Sequence, residues 1–338
     1  MSLLLKANKI LSVKCERAYA VQHMKLNDTD FMIYASEARP NEPGICIAYD
    51  INNLSKEYKI WDNVGGCMGF VADPFNKNAF YAVQEFYLKE VPSKAKVVHV
   101  AFDNEKFTVS DYLSLPLVHR IGVLGKYLIC CTVSKYKANK DDWSNPGEVL
   151  AFDLTNCNNK QIIIANNLYR NHGFYQTREA IYIGSDNGLF KLTLENDNFS
   201  LVKLLSGKIG DVCVCDIDMD GQNELITIKE MHGNCIDVYH INNGTYWKQY
   251  SFTENIEFVH AFTKGEINKK NVVFIGVRKG NANTLLLQHD YDGYHMNSLD
   301  ESVGAANLSF VNINNKNYLG AANHTLSEFA LYDLKMNE

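Results

Sequence analysis

The feature of this chain that most constrains its fold is a strand pattern that recurs along its 338 residues. Short apolar runs with a polar end recur about every 45 to 50 residues, a period typical of repeat architectures such as propellers. These runs read FMIYASEAR, AFYAVQEF, YLICCTVSK, AIYIGSDNG, ELITIKEMHG, VVFIGVRKGN and NYLGAANHT. Seven recurrences predict seven structural units of one kind.

Each unit is predicted to contain four strands. A weaker strand precedes each of these runs, a third strand such as GICIAYD or EVLAFDL follows it, and a more polar fourth strand such as EYKIWD closes most units. Seven such units predict an all-β fold, a seven-bladed β-propeller with four-stranded antiparallel blades. We expect one domain over residues 1–338, with blades that start near residues 20, 65, 117, 170, 209, 257 and 304.

The seventh unit lacks a fourth strand of its own, because the chain ends with DLKMNE soon after the third strand. Residues 1–15 contain the surplus run LLLKANKILSVK, which can supply the missing strand. This pairing would close the ring and leave no open strand edge between the first and last blades.

Composition narrows the classes of partner. The chain is 46% hydrophobic and 21% charged, which suits an ordinary soluble protein with a sizeable core. Its net charge of −6 and the lack of a long basic run disfavour nucleic acid and anionic membranes as partners. The N-terminal apolar run is too short for a signal peptide. Nine cysteines without C-x-x-C spacing fit reduced thiols, so we expect a cytoplasmic protein.

An acidic turn, D-x-D-x-D-G-x-x-E, runs from Asp216 to Glu224. Carboxylates at alternate positions, a Gly for the sharp bend and a closing Glu are what an oxygen-seeking cation needs. An EF-hand loop closes later and is flanked by helices, whereas both flanks here alternate like strands. We expect a structural Ca²⁺ or Mg²⁺ site that holds a hairpin on the face opposite the funnel. Its ligands would be Asp216, Asp218, Asp220 and Glu224.

The hairpin with this loop resembles the FG-GAP or VCBS-type propeller repeat. The runs NHGF, KEMHGN, EFVHAF, GVRKGN and GAANLS are similar to the propeller domain of aldos-2-ulose dehydratase and related carbohydrate lyases. The resemblance implies a sugar-derived substrate and chemistry by β-elimination. The chain is too short for the additional cupin domains of the fungal dehydratase.

Histidines collect where a propeller builds its ligand sites. The loops that enter first strands and leave second strands open on one face, around the central funnel. Imidazole binds Zn²⁺ and similar metals and moves protons near neutral pH. We therefore expect a funnel metal, Zn²⁺ or another divalent transition ion, on His172, His232, His260 and His324. The expected catalytic residues are His119, His172, His260 and Arg278, where Arg278 steadies an enolate or an anionic group.

The same loops carry further charged and amide side chains, which suit a polyhydroxylated ligand with an anionic or carbonyl group. The expected partner is a small sugar or oligosaccharide derivative. Its predicted binding residues are Arg39, Arg120, Arg170, Glu230 and Asn307.

These residues predict a carbohydrate-active lyase or dehydratase. It would abstract a proton next to a carbonyl or carboxylate and expel an oxygen by β-elimination. A sugar isomerase or epimerase would use the same opening step. A non-catalytic propeller that binds a sugar or a protein partner is the other alternative, since fold does not settle function. The oligomeric state stays open.

Overall fold

The computed structural model describes residues 3–87, 94–156, 160–254 and 256–337. Across these residues the chain forms 28 strands and no helix. The strands assemble into seven sheets of four, and the chain is a seven-bladed β-propeller, which confirms the predicted fold class. No helix long and apolar enough to cross a membrane occurs in the described part of the chain.

The first strand of the chain, β1 (Leu5–Lys14), precedes the first blade and belongs to the sheet of the last one. The first three blades are β2 (Ala18–Leu26), β3 (Thr29–Ser36), β4 (Ile45–Asp50) and β5 (Asn53–Asp62); β6 (Phe70–Ala72), β7 (Ala79–Gln84), β8 (Lys96–Asp103) and β9 (Lys106–Ser114); and β10 (Val118–Leu124), β11 (Tyr127–Thr132), β12 (Gly147–Asp153) and β13 (Gln161–Leu168).

The next three blades are β14 (Gly173–Gln176), β15 (Ala180–Ser185), β16 (Gly188–Glu195) and β17 (Asn198–Leu205); β18 (Ile209–Cys215), β19 (Glu224–Lys229), β20 (Ile236–Asn242) and β21 (Thr245–Phe252); and β22 (Glu257–Ile267), β23 (Lys270–Lys279), β24 (Thr284–Asp290) and β25 (Gly293–Asp300). The last blade contains β26 (Ala305–Ile313), β27 (Lys316–Asn323) and β28 (Glu328–Met336) together with β1.

The chain divides into two compact units. The first unit comprises Met1–His23 and Ile209–Glu338 and holds the blades β18–β21 and β22–β25 and the closing blade of β1 and β26–β28. The second unit comprises Met24–Lys208 and holds β3–β5 and the blades β6–β9, β10–β13 and β14–β17. The boundary between the units falls within β2.

Tight turns set many of the hairpins. Two-residue hairpin loops favour type I′ turns, which need positive φ at both central residues, and Asn tolerates that conformation better than most residues. Six hairpins have this geometry. Their central pairs are Asn27–Asp28, Asn104–Glu105, Asn196–Asp197, Asn243–Gly244, Asn268–Lys269 and Asn314–Asn315.

Burial distinguishes the second strand of a blade from the fourth. Every residue of β7, β11 and β15 is buried, whereas β17 alternates between exposed and half-buried positions for most of its length. A strand with side chains packed on both faces is apolar throughout, and an outer strand with one face in water alternates. Each fully buried Leu, Ile or Phe stabilises the fold by about 1.5–3 kcal/mol.

Apolar clusters join neighbouring blades inside each unit. In the second unit one cluster combines β11 and β12 with β15 and β16, including Ile129, Val149, Ile181 and Leu192. In the first unit another cluster combines β23 and β24 with the closing blade. The core of each unit therefore lies between the faces of successive sheets.

The described cysteines are free thiols, and all but the half-buried Cys235 are buried. Cys157 lies outside the described residues. Burial raises the pKa of Cys15, Cys131 and Cys215 to about 12. A thiol with so high a pKa carries little thiolate near neutral pH and is a poor nucleophile or metal ligand.

Strand β1 completes the last blade. It pairs antiparallel with β28, from Leu5 opposite Met336 to Lys14 opposite Glu328. The sheet order is β1-β28-β27-β26, so the N-terminal strand occupies the position of the missing fourth strand. The predicted closure is confirmed.

A polar network reinforces this closure around Glu328. The carboxylate accepts hydrogen bonds from Lys9 Nζ at 2.9 Å, Ser12 Oγ at 2.5 Å and Asn323 Nδ2 at 2.9 Å. Burial alone would raise the pKa of Glu328, but the bonds from Ser12, Asn323 and Lys9 outweigh it and hold the pKa below its usual range. The charged form of Glu328 therefore stabilises the joined chain ends.

Glu328→Gln should lower the free energy of unfolding by about 2 kcal/mol at neutral pH, since hydrogen bonds to a charged group are lost. Because the folded pKa is lowered, this contribution is present above the unfolded pKa of about 4.3 and is lost as the pH falls through the folded pKa. Urea unfolding of both proteins over a pH series measures the difference.

The matched control is Asp333→Asn, which removes an ion pair with the exposed Lys335 at 3.2 Å. Such surface pairs contribute little, so the control should change stability by less than about 0.5 kcal/mol at any pH. A Glu328→Gln effect that stays as large in acid as at neutral pH would contradict the account.

Candidate functional site

Four rings from three stretches of the first unit lie together, and we call Tyr19, His232, Phe258 and His260 the imidazole cluster. The His232 and His260 rings are stacked, with centroids 4.7 Å apart and planes at 17°. His232 also stacks on Phe258 at 4.4 Å, and Tyr19 meets His260 edge-on at 5.3 Å. The first unit thus brings together two of the predicted site histidines.

The hydrogen bonds of His260 define which ring nitrogen carries the proton. Its Nδ1 lies 2.6 Å from the backbone oxygen of Ala306, and a carbonyl oxygen only accepts, so Nδ1 bears the hydrogen. The neutral ring then has its lone pair on Nε2, which lies 3.4 Å from the hydroxyl of Tyr19. This arrangement fixes the tautomer that acts as a base or metal ligand through Nε2.

Asn307 belongs to the same arrangement. Its amide Nδ2 donates to the backbone oxygen of Tyr19 at 2.6 Å. Two successive residues of β26 therefore fix two members of the imidazole cluster: Ala306 holds His260 and Asn307 holds Tyr19. The predicted role of Asn307 was substrate binding, and this contact makes it a positioning residue as well.

Phe258 adopts a backbone conformation that is rare for a bulky residue, with φ of 59°. Such strain costs about 1–3 kcal/mol and persists only where surrounding contacts impose it. The N–H of Phe258 donates to Asn234 Oδ1 at 3.0 Å, and the N–H of Val259 donates to the Gly233 oxygen at 3.0 Å. These bonds tie the start of β22 to the segment that carries His232.

Positive charge lies over the Phe258 ring. The guanidinium carbon of Arg278 is 5.2 Å from the ring centroid, and Lys279 Nζ is 5.0 Å from it. Both distances are within the range of cation–π attraction. The imidazole cluster therefore has two cationic side chains beside its phenyl ring.

The second unit holds two further predicted histidines, His119 on β10 and His172 before β14. Their ring centroids are 4.6 Å apart, and Phe86 packs edge-on against His119 at 5.0 Å. Arg120 Nε donates to the backbone oxygen of His172 at 3.2 Å. Both histidines are buried, so this pair is held inside the unit with its neighbouring arginine.

The loop between β11 and β12 contributes an aromatic–cation group that the sequence analysis missed. Lys137 Nζ lies 3.3 Å from the centroid of Trp143 and donates to the backbone oxygen of Asp142. Burial lowers the pKa of Lys137. Arg170, a predicted substrate-binding residue, has its guanidinium carbon 5.5 Å from the centroid of the same indole. Its side chain is half-buried.

The acidic turn lies between β18 and β19, as predicted for its place in the hairpin. Asp216 Oδ2 accepts the Gly221 N–H at 3.1 Å, and Asp220 Oδ1 accepts the Gln222 N–H at 2.7 Å. Carboxylate oxygens of Asp216, Asp218 and Asp220 lie within 4.8 Å of one another, which suits a shared cation.

Glu224 falls in a second group of possible metal ligands, with Asp218 and His240. Its side chain is fully buried, its Oε2 accepts the Ile217 N–H at 2.9 Å, and its Oε1 lies 3.0 Å from His240 Nδ1. Burial, together with the nearby charge of Asp218, raises the pKa of Glu224. Its carboxylate is grouped with Asp218 and His240.

His240 is the residue that sequence analysis missed at this site. The sequence analysis gives it no role. In the pairing of β19 with β20, Leu225 lies opposite Tyr239, so the next positions outward are Glu224 and His240. The antiparallel register of this hairpin, counted from the acidic turn, is the signal in the sequence that places His240 opposite Glu224.

Three further predicted site residues are Arg39, Glu230 and His324. Arg39 is exposed and lies 4.0 Å from Glu42. His324 is half-buried in the turn after β27, and Glu230 is exposed after β19 with φ of 65°. The predicted roles of Arg39 and Glu230 in substrate binding and of His324 in metal binding stay predictions.

Comparisons with known proteins give information on the fold and not on the function. No model of a known protein family matches the chain, and no curated protein matches it. Among solved structures, 755 chains are similar. One, from the crystal structure of the mitotic checkpoint complex, aligns with a TM-score of 0.68 and 8% identity, covering 98% of this chain and 94% of that chain. At this identity the likeness shows the fold alone.

Gly233 is needed for the loop that carries His232, because an added Cβ would lie 1.8 Å from the Lys229 oxygen. Gly233→Ala should therefore shift the backbone, lower stability by about 1–3 kcal/mol and separate His232 from His260. Thermal melting and the imidazole NMR signals of both histidines measure these effects.

The control is Gly69→Ala, whose Cβ meets nothing within 4 Å. Unchanged imidazole signals in Gly233→Ala would refute the requirement.

Proposed function

We propose that the protein is a carbohydrate-active lyase or dehydratase that works by β-elimination. The observation that carries the proposal is the 2.6 Å contact from His260 Nδ1 to Ala306, which leaves Nε2 as the basic nitrogen. Neutral imidazole is well suited to remove a proton near neutral pH. Arg278 and Lys279 supply the positive charge that such chemistry needs.

The reaction begins when His260 Nε2 takes the proton next to the carbonyl or carboxylate of the substrate. The electron pair of the broken C–H bond forms the enolate, and then the carbon–carbon double bond as the C–O bond breaks. The departing oxygen takes a proton from the Tyr19 hydroxyl. Tyr19 recovers a proton from the protonated His260 Nε2, 3.4 Å away, so both residues return to their starting states.

Arg278 has a distinct part in this mechanism. Negative charge develops on the enolate oxygen during proton removal, and a fixed guanidinium stabilises it more in the transition state than in the ground state. The ring of Phe258 contacts both that guanidinium and the His232 ring. An acidic or carbonyl-bearing sugar fits this distribution of charge better than a neutral, saturated one.

A metal-assisted form of the same elimination would use the unprotonated nitrogens of His232 and His260 to bind Zn²⁺ or a similar ion. The metal would supply the positive charge next to the enolate oxygen. Activity that survives exhaustive chelation supports the metal-free form, and activity that zinc restores supports the other.

The test is an elimination assay on a panel of uronates and keto-sugars, read by the ultraviolet absorbance of the unsaturated product. His260→Ala should lower kcat about 10²- to 10⁴-fold, the range for loss of a general base. His289→Ala is the matched control, since His289 lies on the third strand β24 of the same blade, and its rate should not change. Full activity in His260→Ala would refute the assignment.

The same panel distinguishes the alternatives. An isomerase or epimerase would change the sugar without an absorbance change, which NMR of the reaction mixture would show. Binding of a sugar without any turnover, unaltered in His260→Ala, would support a non-catalytic propeller.

We also propose that Asp216, Asp218 and Asp220 bind Ca²⁺ or Mg²⁺ in a structural role. A ligand at about 100 times its Kd adds about 2.7 kcal/mol to stability, so Ca²⁺ should raise the melting temperature. Asp216→Asn should abolish this rise. Asp292→Asn, in the exposed turn between β24 and β25, is the control and should retain it. An equal rise in Asp216→Asn would exclude the loop as the site.

A further inference from the structure

The histidine of β20 reaches the carboxylates of the acidic turn from a neighbouring strand. His240 Nδ1 lies 3.0 Å from Glu224 Oε1 and 3.9 Å from Asp218 Oδ2. One ligand atom from each of these three residues falls within 4.8 Å of the others. The three come from the turn, from the start of β19 and from β20, so this group is more than an acidic loop.

Burial makes the group unusual for a surface turn. The Glu224 side chain is 0% exposed, and those of Asp218 and His240 are 13% and 16% exposed. The contacts of Glu224 are the Ile217 N–H and His240, and no Lys or Arg among the described residues pairs with it. To stay charged, a carboxylate with so little exposure to solvent needs a countercharge or a metal, and a single imidazole is little compensation for the carboxylates of both Glu224 and Asp218.

An independent observation at the same turn points to a cation. Asp216 Oδ1 is enclosed and has no hydrogen-bond partner among the described residues, although Oδ2 of the same carboxylate accepts the Gly221 N–H. An unpartnered buried oxygen carries a desolvation cost of about 1–3 kcal/mol, which a bound cation removes.

The geometry points to a mixed-ligand metal position formed by Asp218, Glu224 and His240, which takes a divalent transition ion such as Zn²⁺ or Co²⁺. One imidazole with two carboxylates suits these ions, whereas Ca²⁺ and Mg²⁺ prefer oxygen ligands alone. The position is adjacent to the all-carboxylate group of Asp216, Asp218 and Asp220 and shares Asp218 with it. It does not depend on the elimination chemistry proposed above.

Neighbouring strands hold these ligands in place. Asn271 Nδ2 on β23 donates to the backbone oxygen of Asp216 at 2.6 Å and so fixes the start of the turn. Trp247 on β21 packs edge-on against His240, with centroids 6.0 Å apart. A metal site requires ligands whose rotamers are fixed by such contacts, and a loose surface turn lacks them.

The test is a titration of the full chain, stripped of metal, with Co²⁺ in the presence of excess Ca²⁺. We expect about one equivalent of Co²⁺ to bind with visible d–d absorption, since Ca²⁺ competes poorly for an imidazole nitrogen. His240→Gln should weaken Co²⁺ binding at least about 100-fold, because loss of an outer-shell partner alone costs 10- to 100-fold. The Ca²⁺-induced rise in melting temperature should persist in this variant.

The matched control is His295→Gln, since His295 also lies against a carboxylate, 2.9 Å from Asp290, on the neighbouring blade. It should bind Co²⁺ as the wild type does. Because variants of the buried Glu224 could fail to fold, the second readout uses wild-type protein: Zn²⁺ should shift the ring ¹⁵N signals of His240 and leave those of His295 unchanged. Undiminished Co²⁺ binding in His240→Gln, complete displacement of Co²⁺ by Ca²⁺, or no Co²⁺ binding would each overturn the proposal.

Discussion

The antiparallel pairing of β1 with β28 is the interaction on which the closing blade depends. Without it β28 would present a row of unpaired N–H and C=O groups, a template for pairing with other chains. Lys9 and Glu328, 319 residues apart in sequence, lie 2.9 Å apart in this blade. A contact between residues so distant in sequence forms only when the intervening chain is folded, so the last blade depends on the rest of the chain as well as on its own local hairpins β26–β27 and β27–β28.

Residues with strained backbone conformations lie next to buried strands in the first unit. Glu230, His232 and Phe258 all have positive φ, and each such residue costs about 1–3 kcal/mol. The adjoining strands β19 and β23 are buried for most of their length and offset this cost. Two of these strained residues, His232 and Phe258, place an imidazole and a phenyl ring in a stack, with centroids 4.4 Å apart.

The first unit contains two chemically different centres at opposite ends of β19. The acidic turn and Glu224 lie at its start, and His232 follows its end. A strand of six residues spans roughly 20 Å, about twice the Debye length in physiological salt. The carboxylates and the imidazole cluster are therefore far apart along this blade.

The periodicity of the chain was enough to predict the propeller, the closing strand and the acidic turn, because strand spacing and turn chemistry are local properties of sequence. Local pattern also located the histidines at strand ends. The tautomer of His260 depends on Ala306, and the hydrogen bonding of Glu224 depends on His240, which lies 16 residues away on another strand. Strand register and side-chain packing decide such pairings, so only the tertiary structure established which of these groups lie together.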